Sequence, residues 1–277
     1  KSILLSLLGV SIVIGLSFMF QEIFQVAEWK TIDLRFKVQG KIETDSKIIL
    51  VNADDTSSIK YGRWPWKRSV HAKMISLLNN TGAEIIIYDV LFAYSGDTED
   101  DNFLVNETKR SKNVIFPVAI NFGNPNLNRS DLKDLNLESY NIKNISSFTS
   151  NYNVLGDTIL PLKSLANVSH GLGHINANRD GDGVIRRVPL LVKNKNGLFP
   201  SLAFSGILKY LKITDSNVEI KKSSILLKNV LLPGRRELKN IQIPVDDKGQ
   251  MMINYAGRWE ETFKHASFAS VLSGKNL

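Results

Sequence analysis

The stretch Gly62-Arg63-Trp64-Pro65-Trp66-Lys67-Arg68 sets two tryptophans around a proline, between arginines. Proline stiffens the backbone, and a guanidinium can stack on indole or fork onto a carboxylate. Such a loop can hold a ligand. It can equally plug itself onto its own domain, because tryptophan buries so much area. Asp54 and Asp55 follow one apolar run, and Asp89 lies near the end of another. If those runs are parallel strands of an open sheet, their carboxyl ends are where ligands bind. Close carboxylates there could hold Mg²⁺, or they could cap loops and pair with arginines.

Residues 171–190, GLGHINANRDGDGVIRRVPL, form a second dense block. Asn178, Asp180, Asp182 and Gly183 match the first half of a calcium loop. The second half fails, since Pro189 stands where a bidentate glutamate is needed and Arg186 at a ligand position. The alternative is a tight turn, with Asp180 or Asp182 paired to Arg186 or Arg187 across it. The candidate ligand-binding set is Arg63, Trp64, Trp66, Arg68, Asp89, His174, Asn176, Arg186 and Arg187. In it the arginines supply positive charge, the tryptophans stacking and Asp89 orientation. A small polar or anionic ligand, or an envelope partner, suits that set.

No catalytic residue and no cofactor is assigned. The sequence has no G-x-S-x-G elbow, P-loop or H-E-x-x-H. His71, His170, His174 and His265 have no partners visible in sequence for a triad or zinc site. Cysteine is absent, which excludes disulfide scaffolds, thiolate metal sites and thiol nucleophiles.

The elements that would position these residues read as α/β. Residues 47–53 and 84–90 are short apolar strands, and 113–120 is a third, with Pro117 hinting at an edge or bulge. Helices are predicted over 68–80 and 97–111 between them. This alternation argues for a parallel core with right-handed crossovers. A short helix at 160–166, a strand at 184–192 and a helix at 200–211 follow. Residues 218–220 and 225–232 suggest antiparallel strands, and 241–243 and 251–255 suggest two more, joined through Asp247-Lys248-Gly249. The stretch 121–153, rich in Asn, Ser and Asp, reads as an insertion with little structure of its own. The fold class expected is a mainly parallel three-layer α/β domain, antiparallel in its C-terminal part, behind a transmembrane helix and stalk.

Residues 3–20 contain no charge, which sits at the lower edge of what spans a hydrocarbon core as a helix. No small-residue cleavage site follows, so an uncleaved anchor over 1–20 is expected rather than a signal peptide. A stalk helix over 21–40 comes next. Phe20, Phe24, Ala27, Thr31, Leu34 and Val38 step alternately by four and three, an a/d seam. It could pair with a second copy or pack on its own domain, and Gly40 is the natural stop. Residues 41–277 make up the body. The chain lacks a starting methionine and reads as a segment of a longer protein.

The 277 residues carry 35 basic and 27 acidic side chains. Residues 183–277 hold 16 basic and 7 acidic, and the rest 19 and 20. The lysines are scattered without interleaved aromatics, so nucleic acid is not expected as a partner. An envelope module holding anionic polymer, or a membrane-tethered hydrolase with metal at Asp54, Asp55 and Asp89, are the alternatives from other classes.

Together, GRWPWKRSVHA at 62–72, GAEIIIYDVLF at 82–92, Asp100 and Asp101, GHIN…DGDGVIRRVPL at 173–190, FPSLA at 199–203, INYAG at 253–257 and SFASVLSGK at 267–275 carry a resemblance. The chain resembles the type-two CHASE domain, the cyclase- and histidine-kinase-associated sensory extracellular domain. The resemblance runs from about residue 29 to 277. It implies an extracytoplasmic sensor on a bacterial transmembrane receptor in the inner membrane, without enzyme activity of its own, and the a/d seam adds the expectation of a homodimer. The output it implies is a class III adenylate or guanylate cyclase, a diguanylate cyclase or a kinase, absent from this chain.

Overall fold

A computed structural model of the chain describes residues 20–121, 137–143, 147–194 and 197–275, with isolated positions before residue 20. The expected anchor therefore lies outside the described residues but for those positions, as do residues 122–136 and 144–146 of the polar stretch. Among the described residues, no helix is long and apolar enough to cross a membrane.

The first half runs α1 (Gln21–Gln39), β1 (Ile49–Asn52), α2 (Asp55–Tyr61), α3 (Arg68–Asn80), β2 (Ile86–Ile87), α4 (Thr98–Ser111) and β3 (Val114–Asn121). Then come β4 (Asp157–Ile159), α5 (Lys163–Val168), β5 (Gly171–His174), β6 (Arg187–Pro189), β7 (Leu191–Asn194), β8 (Gly197–Pro200) and α6 (Leu202–Tyr210). The chain closes with β9 (Val218–Ile220), β10 (Ser224–Leu231), β11 (Leu238–Pro244), β12 (Gln250–Met252), α7 (Trp259–Thr262), β13 (Lys264–Ser267) and α8 (Phe268–Leu272). The fold is mixed α/β, in two compact units.

The smaller unit holds residues 1–50, 181–183 and 254–265. Its main element is α1. Glu22 in the first turn and Lys37 in the last suit the helix dipole, and Gly40 ends the helix at φ 69°. Ile32 is buried, with Trp29, Asp33 and Phe36 half-buried on the same stripe. That stripe faces the unit's other segments. The Phe36 ring meets Tyr255 edge-on at 5.9 Å, Gln39 donates to Asn254 Oδ1 at 3.1 Å, and the Trp29 indole lies against Gly181. Phe20, Phe24, Ala27, Thr31, Leu34 and Val38 are all exposed. The stripe packed inside the unit is a different one from the expected seam.

The larger unit holds residues 51–180, 184–253 and 266–277. Its centre is β3, with β2 parallel on one side and β5 parallel on the other. β4 pairs antiparallel with the last residues of β3. Side chains alternate across a strand, so Val114, Phe116, Val118 and Ile120 share one face. They join a core with Ala72 and Met74 of α3 and Leu104 of α4. Ile115 lies on the opposite face beside Gly171 and Ser205, and Ile87 there meets Gly206 of α6.

Two registered pairs are parallel, β2–β3 and β3–β5, and isolated parallel bridges join Val154 to Lys193 and His174 to Ser201. The other registered pairs, β3–β4, β6–β12, β7–β8 and β9–β10–β11, are antiparallel. Apart from β3–β4, these pairs surround a second core with Leu191, Leu198, Phe204, Ile225 and Leu227. The "mainly parallel" expectation is thus too broad. β11 and β12 also do not form a hairpin, since β11 pairs with β10 and β12 with β6. The strand expected over 184–192 splits at Leu190, whose N–H goes to Gly249 O. The described ends of the polar stretch are structured, with Asn141, Ile142, Thr149 and Tyr152 buried and Ile142 bridged to Leu198. Sparse apolar residues hid this, because a few anchors suffice for a segment that packs on an existing core.

Pro117 sits in the central strand without disrupting it. The carbonyls of Val114 and Val118 point to the β5 side, and that of Ile115 to the β2 side. Pro117 therefore faces the β2 side, where β2 has ended and β4 begins at Ala119. The missing N–H falls in the gap between two partners, an edge position inside the sheet.

Candidate functional site

The Gly62–Arg68 loop links α2 to α3. Gly62 ends α2 at φ 86°, and the Trp66 indole donates to Gly62 O at 2.9 Å. Trp66 is buried against Tyr61, His71 and Phe268, with ring centroids at 5.6, 6.0 and 4.9 Å. It is the plug. Trp64 packs on Trp66 at 5.0 Å yet stays 46% exposed, and Arg63 beside it is exposed. Arg68 is committed inward: Nε lies 2.6 Å from Asp101, Nη2 donates to Tyr94 O, and the guanidinium sits over Phe92 at 5.4 Å.

His71 is the residue the sequence reading passed over. It is buried amid Trp64, Trp66, Tyr88, Phe92 and Phe268, and its Nδ1 lies 2.8 Å from Tyr88 Oη. Burial, then the Arg68 charge, pushes its pKa down to about 4, so the ring is neutral at pH 7. Its spacing gave a usable signal. Three residues after Arg68 and next to Ala72, Met74 and Ile75, it falls on the inner face of α3.

The three aspartates do not gather. Asp54 is the N-cap of α2, and its Oδ1 accepts from Ser57 N at 3.0 Å, Ser57 Oγ at 2.5 Å and Ser267 Oγ at 3.0 Å. The Ser57 hydroxyl in turn accepts from Ala269 N at 2.9 Å, so one network caps both α2 and α8. The Ser57 hydroxyl is the main cause holding the Asp54 carboxyl below its ordinary range. Asp55 is exposed in the first turn of α2. Asp89 is exposed as a residue, although partial desolvation raises its carboxyl pKa. Among the described residues, no three His, Cys, Asp or Glu side chains are placed to hold a metal ion. Asp54→Ala should cost about 1–2 kcal/mol, since it removes a cap and loosens a second. Urea unfolding at pH 7 checks this. The difference should shrink as pH falls through the depressed Asp54 pKa, because the carboxylate's contribution is present above the ordinary carboxylate range and lost below it.

In the second block, residues 171–174 form strand β5, buried throughout. His174 ends it, buried, with no hydrogen-bond partner on either ring nitrogen among the described residues. Burial lowers its pKa to about 4. Asn176 is spent on the backbone: Oδ1 accepts from Ile120 N at 2.8 Å, and Nδ2 donates to Ile120 O. It continues the pairing that β5 leaves off. Arg186 is buried, with Nη1 2.9 Å from Asp180 Oδ2, while Arg187 Nη1 lies 3.9 Å from Oδ1. Asn178 and Asp182 are exposed. The Asp180 carboxylate thus faces two guanidinium groups, the structural pair rather than the calcium half-loop. Asp180→Asn should lower stability by about 2 kcal/mol, less than for a fully buried pair because Asp180 keeps some solvent contact. A thermal melt checks it, and an unchanged midpoint would mean that Arg186 is held by its other contacts.

The candidates thus separate by what already occupies them. Trp66, Arg68, Asn176 and Arg186 are committed to the fold. Arg63, Trp64 and Asp89 are exposed, and Arg187 is partly so.

Residues 7–277 match the pattern of the CHASE2 domain, and the chain belongs to that family. CHASE2 domains are extracellular sensory domains of signalling receptors. No curated protein and no solved structure matches the chain.

Proposed function

We propose that this chain is the extracytoplasmic input domain of a membrane-bound bacterial receptor, held by a single span within residues 1–20. It regulates a cytoplasmic class III adenylate or guanylate cyclase. The observation that carries this reading is the division of α1 into two stripes. One stripe packs on residues 254–265 and Gly181 of its own unit. The other repeats every seven residues from Phe20 to Val38 and is exposed. Such a helix can report the state of its unit to a second copy across a coiled-coil seam. The signal is a small polar or anionic ligand at Arg63 and Trp64, with Asp89 and Arg187 as further candidates. Ligand binding would bias the pose of the paired helices and hence the output.

The absence of cysteine makes the test direct. Single cysteines at Phe24, Thr31 and Leu34 should cross-link between copies in membranes, while Glu28→Cys and Arg35→Cys should not. Cross-linking without seam periodicity would sink the paired stalk. Joined to a cyclase reporter, a Leu34→Asp variant should lose regulated output, and unchanged regulation would remove the helix from the signalling route. Asp54 argues against the hydrolase alternative, because its carboxylate is engaged by two hydroxyls and a backbone amide.

A further inference from the structure

The β10–β11 hairpin carries its last residues beyond the second core. Asn229 at φ 53° marks a register shift, pinned by its N–H on Asn240 Oδ1 at 3.0 Å. Such an irregularity bends and twists a ribbon. Val230 is buried, but the next pair, Leu231 opposite Leu238, is 52% and 61% exposed. The hairpin closes through Leu232-Pro233-Gly234-Arg235, with Arg235 N–H on Leu232 O at 3.0 Å and Gly234 at φ 76°. Proline followed by a positive-φ glycine is the requirement of a type II turn, so the tip is stiff. Around it Arg235, Arg236, Glu237 and Lys239 are exposed.

Lys221 and Lys228, further down the sheet, are held by Glu219. Arg235, Arg236 and Lys239 have no ion-pair partner among the described residues. We infer that this tip, two exposed leucines ringed by three cations and one acid, rests on an anionic lipid surface. Leucine side chains gain by entering the headgroup and acyl boundary, and guanidinium groups fork onto lipid phosphates. An acidic protein surface would match the cations, but would leave the leucines needing a matching apolar pocket. A bilayer meets both needs together. The inference does not rest on the sensory reading, since it concerns only what the hairpin touches.

A Pro233→Cys variant of the full chain carries a single thiol, to be labelled with an environment-sensitive fluorophore. The chain is mixed with vesicles of phosphatidylglycerol and phosphatidylcholine, or of phosphatidylcholine alone, and flotation confirms attachment. Because the label reports the tip alone, insertion of other segments does not mimic the result. The expected outcome is a blue shift and loss of iodide quenching on the anionic vesicles only. Leu231→Ser with Leu238→Ser should abolish it. Arg235→Gln with Arg236→Gln should require about tenfold more lipid. A label still quenched on vesicles that carry the chain overturns the proposal, as does equal protection in both vesicle types. Protection without lipid that grows with protein concentration assigns the tip to a second copy and overturns it too.

Discussion

Gly173→Ala should destabilise the larger unit by at least about 3 kcal/mol, and the variant should accumulate poorly or in insoluble form. A Cβ built at Gly173 would lie 2.5 Å from Leu202 Cα, 2.6 Å from Leu202 N and 2.8 Å from Ser201 C. These are backbone atoms, so no side-chain rotation relieves the clash. The site is where α6 begins, with Ser201 as its N-cap, directly over strand β5, the neighbour of the central strand β3. Relief would require lifting α6 off the sheet, which would disturb the second core, to which Phe204 and Leu208 of α6 belong. Gly206 offers the contrast. Its added Cβ would meet Ile87 Cδ1 at 2.5 Å, the far end of a flexible side chain, and Gly206→Ala should cost less. Urea midpoints of the two variants test the ordering, and equal, small losses would refute the close approach at Gly173.

The second large effect is acid sensitivity. His71 and His174 are both buried, and both have pKa values lowered from 6.5 to about 4, mainly by burial. Between those values the unfolded chain binds more protons than the folded one, so stability falls as pH falls. The contribution is fully present above about pH 6.5 and is lost progressively toward pH 4. Each ring accounts for about 3 kcal/mol over that window, more than any single cap or surface ion pair supplies. The two differ in one respect. His71 has Tyr88 as a partner, whereas His174 has none among the described residues. His174→Leu should therefore hold or raise stability at pH 7, by replacing an unsatisfied polar group with an apolar one, and should remove its share of the acid loss. Urea unfolding at pH 7 and pH 4.5 gives the comparison. The same fall in wild type and His174→Leu would exclude His174 as a source.

Much of this architecture was legible in the residues. Helix α3 falls on the predicted 68–80, and α4 follows its N-cap Asp97, because apolar spacing and capping chemistry are local properties. The α1 helix and its stop at Gly40 follow for the same reason. Family membership was also carried by the order of short motifs along the chain. Strand β5 was missed because Gly-Leu-Gly-His carries one large apolar residue, and its burial comes from α6 lying on glycines that no local rule reveals.

Roles were a different matter from elements. Sequence supplied arginines, aspartates and tryptophans in suggestive groups, but side-chain commitment depends on neighbours far along the chain. Asp54 is satisfied by Ser267, Asn176 by Ile120, and Trp66 by Phe268. Those pairings placed Trp66, Arg68, Asn176 and Arg186 in the framework and left Arg63 and Trp64 at the surface. Local spacing and capping chemistry determined most of the helices, and the order of short motifs along the chain carried the family. Only the tertiary structure decided which polar groups already have partners, because a hydrogen bond depends on distance in space rather than on separation in sequence.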